Sequence, residues 1–433
     1  MADKKLKIII TGDNGESLPP PYGGIIKRCL MHAKEWKEKE AEVYLQIYHK
    51  HDNENDLGAG ANYFYDFNTT PSFADKLIFA GKGFLTSPRL FIKLLFKQII
   101  LSPKFYFKTF IYCAARGVAL AKAAKLINPD IFITETGGWQ SLMSLEVARL
   151  KKIPIILINS AEIFYKVGKD GVNIAETYSR LWKELVNGVD LVISTSRHCA
   201  QGPEKYLVPS AKLKIIYSGI DFEKFNRYAG EKKETARQKL DLLIGDFIVL
   251  SVGALSGRKG HDQLLEALLT LPPEQINKIT VVLCGMGDSE KMRQVVTEIG
   301  FPLERVKIFQ NLPDEELAQL YSAVDCFCFP SVTPRECMGL ALKEAMSAGL
   351  PVAAYASGGI PEAIEPGTNG FLAPVNDRQA LAWAVVSIQR LSPEERARMG
   401  QANIVKAKQL FDIKKTAGQI YQYCLQLKLE EKI

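Results

Sequence analysis

Two glutamates, Glu336 and Glu344, stand with seven residues between them in the segment Pro330-Ser-Val-Thr-Pro-Arg-Glu-Cys-Met-Gly-Leu-Ala-Leu-Lys-Glu. An ionised carboxylate only accepts hydrogen bonds, so such a pair suits a ligand rich in hydroxyl groups. Gly339 lies between them at the start of a helical pattern. Without a Cβ it lets backbone approach a ligand closely, and the free N–H groups of a helix start attract phosphate. Glu336 would then sit beside a phosphate with sugar hydroxyls in reach, and Glu344 would project along the same face toward a second polyol such as ribose. The plainer alternative is an acidic helix start with a solvated glutamate on its face.

The segment Ser251-Val-Gly253-Ala-Leu-Ser-Gly257-Arg258-Lys259-Gly260 supplies the opposite charge. Arg258 and Lys259 hang beyond a strand end, where two fixed cations would neutralise a departing diphosphate without a metal ion. A basic surface turn is the commoner use of such a pair. Leu283-Cys-Gly285-Met-Gly287-Asp288 is a strand–turn–helix whose two glycines serve a turn as readily as a ligand. Near the N-terminus, Gly23 and Gly24 either line a cleft opposite the phosphate site or supply a loop that needs positive φ. No G-x-G-x-x-G opens a helix there, which counts against an NAD-binding unit.

These residues need a scaffold, and the hydrophobic pattern provides one. Short β-branched runs alternate with helix-length amphipathic stretches, the signature of parallel sheets with crossover helices. In the first half the spacing predicts strands at 7–11, 43–47, 131–134, 155–158, 191–195 and 214–217, with a helix over 24–36. Residues 50–75 read as an irregular excursion. The second half restarts the rhythm. It has strands at 247–252, 280–284, 306–309, 326–329 and 351–354, and helices at 261–271, 289–299, 314–323 and 340–348. Two such α/β halves imply a ligand cleft at the carboxyl ends of their sheets. Helices after Asp377 either cover the second sheet or cross back to the first.

The whole chain is consistent with this. At 433 residues it is long enough for two cores, with 47% hydrophobic and 24% charged residues. The eight cysteines form no C-x-x-C pair, and the five histidines have no ligand spacing, so no metal site is read. They read as structural thiols of a cytoplasmic protein. The opening apolar run is too short for a signal peptide, and no stretch is apolar enough to span a membrane. The net charge of +7 comes without any nucleic-acid-binding signature.

Taken together, the segments resemble glycosyltransferase family 4, retaining enzymes of the GT-B architecture with two facing Rossmann-like domains and a cleft between them. The match rests on Glu336 and Glu344 around Glu-Cys-Met-Gly-Leu, and on Asn311-Leu-Pro-Asp-Glu-Glu-Leu, Ser357-Gly-Gly-Ile-Pro-Glu-Ala and Pro366-Gly-Thr-Asn-Gly-Phe-Leu. The resemblance implies transfer of a hexose-type sugar from a UDP-, GDP- or ADP-sugar co-substrate to a hydroxyl acceptor, sugar, glycan or lipid-linked, without a bound metal or other cofactor. It implies that Glu336 holds donor-sugar hydroxyls, that Lys259 and Arg258 meet the diphosphate, and that Glu344 meets the ribose. Gly339 and Leu340 would offer backbone N–H groups, with the Gly285–Gly287 turn and the Asn311 loop on the nucleotide side. The domains expected are 1–218 for the acceptor, 219–410 for the nucleotide sugar, and a helix at 411–433 crossing back to the first. Two departures stand out: Ala254 where the family often has Arg, and Asn159 where many members have His. Asn159 can bond a sugar hydroxyl on the acceptor side but cannot act as a base. A non-catalytic member that binds sugar nucleotide or a partner is the competing function.

The basic charge is concentrated. Residues 76–129 contain ten Lys or Arg and no Asp or Glu, more than the whole-chain excess. Arg89, Lys93 and Lys97 fall on one helical stripe beside Leu90, Phe91, Leu94, Leu95, Phe96 and Ile99, and aromatics continue through Phe105, Tyr106, Phe107 and Phe110. This suits the anionic surface of a membrane on its cytoplasmic face. A helix packed on the first sheet with a solvated basic stripe is the alternative.

Overall fold

The computed structural model describes residues 5–12, 24–49, 61–67, 72–101, 107–135, 138–160, 179–255, 259–333 and 336–430. Gly23 and Arg258 lie outside them, as do Lys104, Phe105 and Tyr106. The chain divides into two compact units, residues 1–218 with 413–433, and residues 219–412.

Among the described residues, the first unit carries seven parallel strands: β1 (Lys7–Gly12), β2 (Glu42–His49), β3 (Asn62–Phe67), β4 (Ile131–Glu135), β5 (Ile155–Asn159), β6 (Leu191–Ser194) and β7 (Leu213–Ile215). Their order is β3-β2-β1-β4-β5-β6-β7. Strand alternation sorts the side chains into two cores. Ile9, Phe132, Leu157 and Val192 face the helices Phe107–Ile127 and Trp139–Lys151. Ile8, Ile10, Ile133 and Ile158 face the opposite way, onto Cys29, Ala33 and Trp36 of the helix Gly24–Lys37. That second face is completed by Ala417, Ile420 and Cys424 of the helix Ile413–Glu430, and Trp36 Nε1 donates to the Ala417 carbonyl at 2.8 Å. The last helix returns because an apolar sheet face would otherwise stay open.

β3 falls inside the stretch expected to be irregular. Its Asp66 is buried and takes Arg116 Nε at 2.6 Å and Gln46 Nε2 at 2.7 Å. Burial pushes the Asp66 carboxyl up to about 6 against the pull of Arg116. A long-range ion pair therefore fixes an edge strand that local pattern does not reveal.

Among the described residues, the second unit has six parallel strands: β8 (Phe247–Val252), β9 (Ile279–Gly285), β10 (Val306–Gln310), β11 (Cys326–Phe329), β12 (Val352–Tyr355) and β13 (Gly370–Ala373). The order β10-β9-β8-β11-β12-β13 reverses direction between β8 and β11. At such a switch point, loops leave neighbouring strands toward opposite sides and open a crevice above the carboxyl ends. Among the described residues, Cys29, Cys113, Cys284, Cys326, Cys328 and Cys424 are buried outside any disulfide, consistent with packing roles.

Candidate active site at the second sheet's switch point

Lys259 follows β8, and Glu336 follows β11, so the strand order brings together residues 77 apart in sequence. Lys259 Nζ lies 2.7 Å from Glu336 Oε2. Both side chains are mostly shielded but keep 24% and 11% exposure, so the pair stays in reach of solvent at the strand ends. The Lys259 ammonium also stands 6.0 Å from the centre of the Phe329 ring.

The lysine is held from below. A Cβ on Gly253 would come within 2.9 Å of Lys259 Cγ, so the bare glycine makes room for the lysine stem. His261, buried at the first turn of the helix His261–Leu268, anchors that loop through Ser251 Oγ at 3.1 Å and the Gly253 carbonyl at 3.3 Å. A carbonyl only accepts, so Nε2 carries the proton and Nδ1 accepts from Ser251. Burial lowers the His261 pKa, in keeping with this neutral form.

Glu336 is fixed by its backbone. Its N–H donates to the Thr333 carbonyl at 3.2 Å, and its own carbonyl accepts from Gly359 N–H at 3.0 Å. Ser357 Oγ donates to the same Thr333 carbonyl at 2.7 Å. The Ser357–Gly359 loop, noted in the sequence only as a familiar stretch, is therefore the support of the carboxylate. Gly339, at φ +73°, precedes the helix Leu340–Ser347. A Cβ there would meet Phe329 Cζ at 2.6 Å and Glu336 Oε1 at 3.2 Å. Its glycine is required by internal packing as well as by backbone conformation.

Glu344 differs from expectation. It is 3% exposed and lies inside, where its Oε2 is 3.2 Å from the Tyr321 hydroxyl. Burial and the Glu344 charge together raise the Tyr321 pKa well above the usual range and push the Cys284 thiol up to about 12. The carboxylate is thus held by Tyr321 and does not project from the helix surface. The turn from Gly285 to Gly287 joins the neighbouring loops: Gly253 N–H donates to the Cys284 carbonyl at 2.9 Å, Leu255 N–H to the Met286 carbonyl at 2.6 Å, and Asn311 N–H to the Gly285 carbonyl at 3.0 Å. Asn311 adopts φ +54°, which asparagine tolerates better than most residues. Backbone groups thereby form a continuous shelf over β8, β9 and β10. Among the described residues, no three His, Cys, Asp or Glu side chains cluster as a metal site.

In the first unit, the corresponding switch point between β1 and β4 holds a buried ion pair. Arg28 Nη2 reaches Glu135 Oε2 at 2.5 Å and Ser160 Oγ at 2.7 Å. Gly24 is the first residue of the Gly24–Lys37 helix. Asn159, assigned to the acceptor side, is fully buried, and its Nδ2 donates to the Cys199 carbonyl at 2.8 Å. Its amide donor is committed to the fold.

His32, one turn from Arg28, is buried with both ring nitrogens unpartnered among the described residues, and stacks on Trp36 at 5.1 Å. Burial, and then the Arg28 charge, lower its pKa to about 3. The unfolded chain therefore takes up this proton first as pH falls, so the contribution is intact above about pH 6.5 and is lost progressively toward pH 3. We expect His32→Phe to retain roughly 2–3 kcal/mol more of its pH 7 stability at pH 4.5 than the wild type does. Urea unfolding at the two pH values measures this, and identical losses in both proteins would refute it.

A family model described as "Glycosyl transferases group 1" matches residues 232–405, and one described as "Glycosyltransferase Family 4" matches residues 85–224. The chain belongs to the group 1, family 4 glycosyltransferases. Similar curated proteins include the D-inositol 3-phosphate glycosyltransferase of Corynebacterium urealyticum, 28% identical over 53% of this chain and 58% of the relative. Another is the amylovoran biosynthesis glycosyltransferase AmsK of Erwinia amylovora, 28% identical over 63% of this chain and 64% of the relative. The chain thus spans less than two thirds of the length of these relatives. Among solved structures, Anabaena HepE in complex with UDP and glucose superposes with a TM-score of 0.71 at 20% identity, covering 97% of this chain and 99% of that one. The architecture is GT-B, as the sequence resemblance implied.

Proposed function

We propose that this chain is a retaining glycosyltransferase that moves a hexose-type sugar from a nucleoside-diphosphate sugar to a hydroxyl group of a sugar, glycan or lipid-linked acceptor. The observation that carries this reading is the Lys259–Glu336 contact of 2.7 Å at the β8–β11 switch point. On donor arrival the two groups exchange partners: the ammonium turns to the diphosphate and the carboxylate accepts from sugar hydroxyls. The bond from the sugar's anomeric carbon to the diphosphate oxygen breaks, and a bond to the acceptor oxygen forms on the same face. The acceptor proton passes to the departing phosphate oxygen. Lys259, aided by Arg258, stabilises the charge that develops there, so this route needs no metal.

In the same reading, Gly339 and Leu340 offer backbone N–H groups to phosphate. Glu344 and the shelf of Gly285, Gly287 and Asn311 receive the nucleoside. The first unit serves the acceptor, and the protein works in the cytoplasm against the inner face of a membrane. HepE is solved with UDP and glucose, which makes UDP-glucose the first donor to try.

A thermal-shift screen of UDP-, GDP- and ADP-sugars tests the donor half. A donor at a hundred times its Kd adds about 2.7 kcal/mol to stability by mass action, a rise of several degrees in Tm. We expect one nucleotide class to give that shift and Glu336→Gln to reduce it. A flat response to every donor would overturn the reading.

A further inference from the structure

The helices Phe73–Thr86 and Pro88–Leu101 each present apolar residues on two faces. In the second helix, Leu90, Leu94, Gln98 and Leu101 are buried against the unit. On the opposite side, Ile92, Phe96, Ile99 and Ile100 follow helical spacing and are all exposed, Phe96 at 59%. The first helix adds exposed Phe73, Leu77, Ile78, Phe84 and Leu85, the last at 79%. Single exposed apolar residues are ordinary, but nine on two consecutive helices form a surface that water does not favour.

The charges around that surface have one sign. Lys82, Arg89 and Lys93 are exposed beside it. The two helices contain a single acidic residue, Asp75, which is occupied in a capping box with Ser72. The structure also redraws the basic stripe seen in the sequence. Lys97 pairs with Glu184 at 2.6 Å and Lys93 reaches Glu146 at 3.7 Å, so the bases mark the rim between the packed face and the exposed one.

We propose that the exposed apolar face of these two helices docks on an anionic lipid bilayer. The Phe, Leu and Ile side chains enter the boundary between headgroups and acyl chains, and the rim bases reach lipid phosphates. Charge complementarity selects this occupant. A second copy of the chain packed symmetrically would set Lys82, Arg89 and Lys93 against the same residues. The attachment is peripheral: among the described residues no helix is long and apolar enough to cross a membrane. This inference does not rest on the donor chemistry, so either can fail alone.

Co-sedimentation of the full chain with vesicles tests it. Vesicles rich in phosphatidylglycerol should pull the protein down, phosphatidylcholine vesicles should do so at least tenfold less, and added salt should weaken the binding. Phe96→Ser with Ile100→Ser, and separately Lys82→Gln with Arg89→Gln, should each lower partition by roughly tenfold or more. Val405→Ser, an exposed apolar site on the other unit, should leave it unchanged. Circular dichroism and donor-induced thermal shift, equal to wild type, would show that these surface variants are folded. Equal binding to both vesicle types, or no binding to either, would overturn the proposal. So would a concentration-dependent dimer, seen by light scattering, that Phe96→Ser dissociates.

Discussion

Glu336→Gln and Lys259→Met are each expected to lower release of nucleoside diphosphate from the donor by on the order of 10²–10³-fold, as removal of one preorganised group at a developing charge does elsewhere. The reason is the 2.7 Å contact at the crevice between β8 and β11. Each group lacks its productive partner until donor arrives, and each keeps the other in position meanwhile. Groups that act as a unit give non-additive losses, so the double variant should be little worse than either single one. Stability should fall as well, by on the order of 1–3 kcal/mol, because the pair is mostly shielded and the remaining charge loses its partner. Lys259→Arg keeps the charge but not the point geometry, and is expected to recover only part of the activity. Measuring nucleotide release alongside Tm separates chemistry from folding. Wild-type turnover in Glu336→Gln would remove that carboxylate from the proposed mechanism, whatever its contact with Lys259.

Much of this site was readable from residue type, because Lys259 and Glu336 sit among glycines at strand ends. Their meeting was not, since it depends on β8 and β11 being neighbours in the sheet. Strands buried on both faces, such as Phe247–Val252, announce themselves by continuous apolar runs. β3 does not: Asn-Tyr-Phe-Tyr-Asp-Phe gains its sense only from Arg116, fifty residues later. The burial of Glu344 was illegible for the opposite reason. Helical spacing from Gly339 said which face it shared, but not that the Tyr321 hydroxyl meets its carboxylate there. The two-faced helices at 73–101 show the same limit, because an apolar residue in sequence carries no mark of being inside or outside.

Gly285→Ala should be among the most damaging single changes in the second unit. A Cβ at this position would stand 1.6 Å from the Gly253 carbonyl oxygen and 2.6 Å from its carbon. Neither is the movable end of a side chain, so β9 and the loop after β8 must separate, and with them the Gly253 N–H bond to Cys284. Overpacking of this kind costs about 1–3 kcal/mol even where side chains can yield, and here only backbone can. A loss of at least 3 kcal/mol would lower the melting of a unit this size by roughly 10 °C. Calorimetry without any ligand is the decisive measurement, because the two roles of this glycine then part. If Gly285 is needed only for approach of a nucleotide, the apo protein keeps its Tm and loses donor affinity. If it is needed for the close contact of two strand ends, the apo protein is already destabilised, and Lys259, carried on the same loop, is displaced before any donor binds. Gly245→Ala, where a Cβ would meet nothing within 4 Å, should change Tm by little and serves as the control. The 1.6 Å approach favours the second outcome, which makes Gly285 a support of the loop that carries Lys259.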